Sequence, residues 1–224
     1  MKISSINNQP NFGWNRTTHL AITELALKNI NGLSEVEKRQ IARYSQMPDY
    51  DKKEIGYLKN SHFYFPLSKN QSYGKSANRY NNAKAMFNEH LQQAAMSKTR
   101  EDFFKHTGYA MHYLQEVALP MHTKSGGIIS KVFDYKTHRD FEKGKKHGAK
   151  VHTSKLMEKY KETPLFFSSL QDLFQGTAMF SRSKNLQVNQ FNKKSWETIQ
   201  QKCFNRAVDA SSEFFATLFR VARP

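Results

Sequence analysis

The sequence predicts an all-α protein built as a single domain, and three observations carry that reading. Apolar residues recur at helical spacing along most of the chain, while alternating, strand-like runs are nearly absent. Ser34 with Glu37, and Thr99 with Asp102, have the spacing of capping boxes that open helices. At 224 residues the chain can build a full core without staples, and 38% hydrophobic content with 17 Phe supplies material to fill it.

The elements follow in order. A short apolar helix over residues 18–30 is stopped by Asn31-Gly32, a left-handed exit. Ser34 and Glu37 open a second helix that must end before Pro48. A third covers residues 77–96, with Tyr80, Ala83, Phe87, Leu91 and Ala94 on one stripe. Thr99 and Asp102 start the next, whose apolar side is Phe103, Phe104, Ala110, Met111 and Leu114, and Pro120 ends it. Thr137 begins a polar helix, Pro164 a Phe-rich one, and Ser195 caps a last amphipathic helix reaching Phe219. In that helix Trp196, Ile199, Phe204, Val208, Phe215 and Leu218 have the spacing of a core-facing stripe, in preference to a membrane-surface one. Polar stretches at 67–78, 123–136 and 181–194 read as surface loops. None is biased enough to divide the chain, and no internal repeat is present.

Composition bounds the function. Lys and Arg number 35 against 19 Asp and Glu, a net charge of +16 that favours polyanionic partners: nucleic acid, an anionic membrane surface or phosphate headgroups. The same excess also serves as a solubilising surface, since net charge speaks to association and not to chemistry. No run approaches the ~20 apolar residues of a membrane span. Residues 1–13 (MKISSINNQPNFG) lack the apolar stretch of a secretory signal and read as a flexible leader before a single domain over 14–224. The compartment stays open. A lone Cys203, among Phe204, Ala207 and Val208, reads as a packed residue and not a reactive thiol. No obligate protein partner is evident, so the chain reads as a monomer.

The histidines carry the chemistry. There are nine. In AMHYLQEVALPMHT, His112 and Glu116 are four apart, which on a helix places them on one face about 5–6 Å apart at Cβ. Pro120 then breaks the helix and sends His122 off on a new path. THRDFE repeats the spacing with His138 and Glu142. Upstream stand His19 in GWNRTTH, Asp49 in MPDY and His62 at the head of HFYFP. Imidazole with carboxylate and no thiolate is the ligand set of catalytic zinc and not of structural zinc. Phe63, Tyr64 and Phe65 either line a substrate cleft or fill the core behind it. His90 lies on the apolar stripe of its helix and reads as a packed histidine. His106 is turned off the metal-bearing face, and His147 and His152 sit among lysines in GKKHGAKVHTSK. All four are set outside the site.

The order Trp, His, Asp, His, His-x3-acid, Pro-Met-His, His-x3-Glu resembles the bacterial zinc-dependent phospholipase C family. It is more distantly similar to the zinc-dependent single-strand nucleases of the same fold. The likeness spans residues 14–142, and HYLQEVALPMH is its most specific piece, close to the family's His-Tyr-Leu-x-Asp-x-x-x-Pro-Met-His. The resemblance implies a multi-helix fold and two to three zinc ions. One would be held by Asp49, His62, His112 and Glu116, and a second by His122, His138 and Glu142. A third would take His19, Glu116 as a bridge, and the amine and carbonyl of Trp14. It further implies phosphodiester hydrolysis, with Asp49 orienting or deprotonating water. Two departures stand out. Glu116 replaces the family's Asp, and Trp14, the mature amino terminus in the family, is here preceded by thirteen residues.

Three activities follow as expectations: a phospholipase C producing diacylglycerol and a phosphorylated headgroup, a nuclease on single-stranded nucleic acid, or a non-enzymatic basic helical module. Glu142, the short 122–138 connection and the Pro-Met-His wording favour the first. The charge and the five-residue step from Trp14 to His19 favour the second.

Overall fold

Helix starts are decided locally, by capping. Ser34 Oγ accepts the Glu37 amide at 3.3 Å while Glu37 Oε2 accepts the Ser34 amide at 2.8 Å, the reciprocal pair anticipated from sequence. Thr99 likewise accepts the Asp102 amide at 3.0 Å. The computed structural model describes residues 14, 16–51, 62, 64, 83–123, 153–189 and 193–221. Among these the chain is helical, with no strand. Its α-helices are α1 (Arg16–Leu27), α2 (Glu35–Tyr44), α3 (Ala83–Ala95), α4 (Arg100–Glu116), α5 (Thr153–Glu158), α6 (Leu170–Asn189) and α7 (Lys193–Val221). A 3-10 turn, Pro120–His122, follows α4.

The central element is α4. Every residue from Thr107 to Glu116 on it is buried, so it has no solvent face in its second half. It packs on α2, α3 and α7, and α1 lies across α2 and α7. Gly108 permits the closest of these approaches: a Cβ there would stand 2.5 Å from Tyr44 Cβ and 2.8 Å from the Ile41 carbonyl oxygen. Phe87, Leu114, Phe174 and Phe214 fill one part of the core, each contributing about 1.5–3 kcal/mol by burial. Trp14, Ile22, Leu119, Phe204 and Val208 fill another. Cys203 belongs to the second group, and burial pushes its thiol up to about 12, as a packed residue should behave.

The sequence misplaces several boundaries. The first helix ends at Leu27, and the left-handed Gly32 (φ 87°) lies in the turn beyond it. The helix placed at Pro164 begins at Leu170 instead, where Ser169 Oγ accepts the Asp172 amide at 3.1 Å. Before it the chain is non-helical: the Thr163 amide is held by Asp209, and Leu165 and Phe167 reach the core individually. Residues 181–189, read as loop, continue α6. Ser181, at the start of that stretch, is buried and donates to the Val117 carbonyl at 2.6 Å. Ser195 is inside α7, which starts at Lys193. The short α5 was missed. The helix at Thr137 and the start of the helix over 77–96 lie outside the described residues.

No helix among the described residues is long and apolar enough to cross a membrane.

Candidate metal centre

Four pieces of backbone bring the site together. His19 comes from α1, Asp49 from the turn after α2, His112 and Glu116 from the buried end of α4, and His122 from the 3-10 turn. Helix α4 stops at Glu116, with Val117 as its cap, and Pro120 occupies the first turn of the 3-10 segment. That tight turn folds His122 back over the end of α4. The Tyr64 amide donates to the His122 carbonyl at 2.8 Å, which ties the segment carrying His62 to the same place.

The donor atoms form two overlapping groups that could each hold a metal: His19, His112 and Glu116, and Asp49, His62 and His112. His19, His112 and Glu116 are fully buried. Glu116 Oε1 lies 2.9 Å from His19 Nε2 and 3.8 Å from His112 Nε2, and its Oε2 contacts His122 Nδ1. Asp49 Oδ1 stands 3.6 Å from His62 Nε2 and 3.7 Å from His112 Nε2. The His19 and His112 rings are 4.3 Å apart at their centroids.

His112 tests whether these residues suit a cation. A backbone carbonyl only accepts, so the 3.0 Å contact to the Ser45 oxygen fixes the proton on His112 Nδ1. Its Nε2 is then a lone pair, buried without a hydrogen-bond partner, facing carboxylate oxygens of Asp49 and Glu116. Electron-rich atoms pointing at one another in a buried space are repulsive unless a cation lies between them. Spacings of 3.6–3.8 Å are near the ~3.3–3.5 Å that separates neighbouring ligands of one tetrahedral zinc. The donor set fits zinc.

The protonation equilibria reflect the same crowding. Burial, then repulsion from His19, holds the His112 imidazole well below its usual range. For Glu116 burial acts upward, but the charge and hydrogen bond of His122 and the hydrogen bond of His19 outweigh it and hold the carboxyl well below its ordinary value. Burial opposes the charge on His19 most strongly. The hydrogen bond and charge of Glu116, with Asp49 and Gln115 behind them, still raise its pKa.

Of the residues singled out from sequence, Trp14, His19, Asp49, His62, His112, Glu116 and His122 come together. Trp14 is buried, its indole edge-on to the His19 ring at 6.4 Å. The contact between His122 and Glu116 crosses the boundary between two of the ligand sets that the resemblance implies. Tyr64 is a core residue packed on Phe174, with its hydroxyl donating to Gln175. Phe63, Phe65, His138 and Glu142 lie outside the described residues, as do His147 and His152. His90 is buried, 3.1 Å from His106 between Nδ1 atoms, and neither belongs to the two metal groups. Sequence reasoning missed Gln115, Thr23 and Ser45. For two of them a signal was present: Thr23 is four residues after His19, on the same face of α1, and Gln115 adjoins Glu116.

Fold and site together define an all-α protein with a buried histidine–carboxylate cluster suited to metal. Its fold is shared with two solved structures. The alpha toxin from Clostridium absonum matches with a TM-score of 0.64 at 13% identity, over 97% of this chain and 66% of the toxin. The Clostridium perfringens alpha-toxin isolated from avian strain SWCP matches with a TM-score of 0.63 at 16% identity, over the same shares. The chain thus spans 66% of the length of each toxin. No protein-family profile and no curated protein matches the sequence.

Proposed function

We propose that this protein is a zinc-dependent phosphodiester hydrolase of the phospholipase C type, acting on glycerophospholipids at an anionic membrane surface. The observation that carries the proposal is the convergence of buried His19, His112 and Glu116 with half-buried Asp49 and His62 around His112 Nε2. The fold shared with the alpha toxins and the HYLQEVALPMH motif support the same direction.

Asp49, His62 and His112 would hold one ion, with Glu116 closing that set and reaching towards His19 for another. His122, with His138 and Glu142, is the proposed third set. Zinc so held supplies positive charge for a phosphodiester's developing negative charge and acidifies water. The protein's own part is placement. Ser45 fixes the His112 ring, Glu116 spans His19 and His122, and Asp49 is the carboxylate we assign to orient and deprotonate the attacking water.

A second reading, a nuclease on single-stranded nucleic acid, is favoured by the net charge of +16. Metal analysis of the purified chain, with turnover measured on phosphatidylcholine vesicles and on single-stranded DNA, tests both. We expect at least two zinc per chain and chelator-sensitive release of diacylglycerol. Cleavage of DNA alone would transfer the assignment to the second reading, and a metal-free, chelator-indifferent protein would remove both.

A further inference from the structure

A run of buried hydroxyls and one amide links His19 and His112, two of the three histidines that face Glu116, and its direction can be read from one end. Ser45 Oγ donates to the Ala42 carbonyl at 2.8 Å, and a carbonyl cannot donate in return. Ser45 Oγ has spent its only proton there, so at 2.9 Å it must accept from Thr23 Oγ1. Thr23 has then spent its own proton and must accept at 2.9 Å from the Gln115 amide nitrogen, which also lies 3.4 Å from Ser211 Oγ. The nitrogen end of Gln115 is thereby turned to Thr23 and the oxygen end to His19. That oxygen lies 2.7 Å from His19 Nδ1, so His19 carries its proton on Nδ1. Thr23, Ser45, Gln115 and Ser211 are all fully buried, so water does not compete for these bonds.

We propose that Thr23 and Gln115 are positioning residues that preset His19 as a metal ligand through Nε2, resting on the reading of this cluster as a zinc site. The last turn of α2 sets both rings: the Ser45 carbonyl holds Nδ1–H of His112 directly, and the Ser45 hydroxyl holds Nδ1–H of His19 through Thr23 and Gln115. Nε2 of each ring is left facing Glu116 Oε1, at 2.9 and 3.8 Å, as the nitrogen open to a metal. Neither Thr23 nor Gln115 supplies a donor atom to the metal groups, so their effect is on ring orientation and ligand basicity.

The test compares zinc affinity of the full chain, by competition with a chromophoric chelator, in wild type, Thr23→Val and Thr23→Ser. Valine keeps the shape of threonine and deletes the acceptor that aims Gln115. Serine restores it. Thr23→Val should weaken zinc at the His19 site by about 10- to 100-fold and shift the absorption bands of the cobalt(II)-loaded protein. Thr23→Ser should stay within about twofold of wild type, because its hydroxyl still accepts from Gln115. A purely structural role for Thr23 would lower the melting temperature yet leave the affinity and cobalt spectrum of the folded protein unchanged, and that result overturns the inference. So does an equal loss in Thr23→Ser. If Thr23→Val fails to fold, Gln115→Met, which fills similar volume without an acceptor, carries the same expectation and the same refutation. Wild type that binds no zinc would instead overturn the site reading on which the inference rests.

Discussion

Glu116 stands between His19 and His122, one carboxylate oxygen 2.9 Å from His19 Nε2 and the other against His122 Nδ1. The extra methylene relative to aspartate lets one side chain touch histidines from two separate elements. Removing its charge leaves buried imidazoles without a counter-ion. Glu116→Gln should therefore destabilise the metal-free protein by about 3–5 kcal/mol and abolish zinc binding at the His19 side. Urea denaturation and metal analysis check this, and a variant of wild-type stability and metal content would show that Glu116 neither pairs nor ligates.

His112 and His106 lie six residues apart on α4 and should differ completely. His112→Ala removes the atom shared by both metal groups and should reduce zinc content and abolish hydrolysis. His106 faces His90 instead, and His106→Ala should keep wild-type zinc content and turnover. Comparable losses in the two variants would mean that the histidines are wrongly divided.

Zinc binding should release protons at pH 6.5 and below. The metal-free His19 pKa is raised above 6.5, so its ring holds a proton that the ion must displace. His112, held well below 6.5, has none to give. Calorimetry in buffers of different ionisation enthalpy counts the protons, and their number should fall as the pH rises above the His19 pKa. Buffer-independent heats at pH 6.5 would show that His19 is neutral before zinc arrives.

The same shifts set the acid stability of the metal-free protein. Glu116, with its pKa lowered, contributes stability that is present above 4.5 and lost as the pH falls through its folded value. His112, also lowered, makes folding less favourable as the pH falls below 6.5, because the unfolded ring takes up a proton first. His19 works the other way: its contribution is full below 6.5 and is lost as the pH rises through its raised value. Two of the three favour a loss of stability on acidification. Zinc should weaken progressively over the same range as the histidines protonate, and denaturation midpoints that stay constant from pH 7 to 4 would contradict these assignments.

Gly108→Ala should disturb the site from a distance. The added methyl would meet Tyr44 Cβ at 2.5 Å and the Ile41 carbonyl at 2.8 Å, backbone and near-backbone atoms that cannot swing aside. The end of α2 must then shift, and Ser45, which holds His112, shifts with it. We expect a loss of about 1–3 kcal/mol together with weaker zinc binding. Destabilisation with unchanged zinc affinity would show that the ring is held independently of α2.

The sequence by itself determined the helical class, the starts of α2 and α4, and the placing of His112 and Glu116 on one face of α4. Each depends on residues within one turn of one another: Ser34 with Glu37, Thr99 with Asp102, His112 with Glu116. Spacing of this kind survives in one dimension. The start of α6 at Leu170 was equally local, through Ser169 and Asp172, and was obscured by the stronger signal of Pro164. Tertiary structure alone decided which oxygen faces which ring, that Tyr64 is core, and that polar Ser181 points inward. It also decided the route from the Ala42 carbonyl to His19, which runs through residues 22 and 92 positions apart. A hydrogen bond's direction depends on every other bond its partners make, and those partners meet only when α1, α2 and α4 pack.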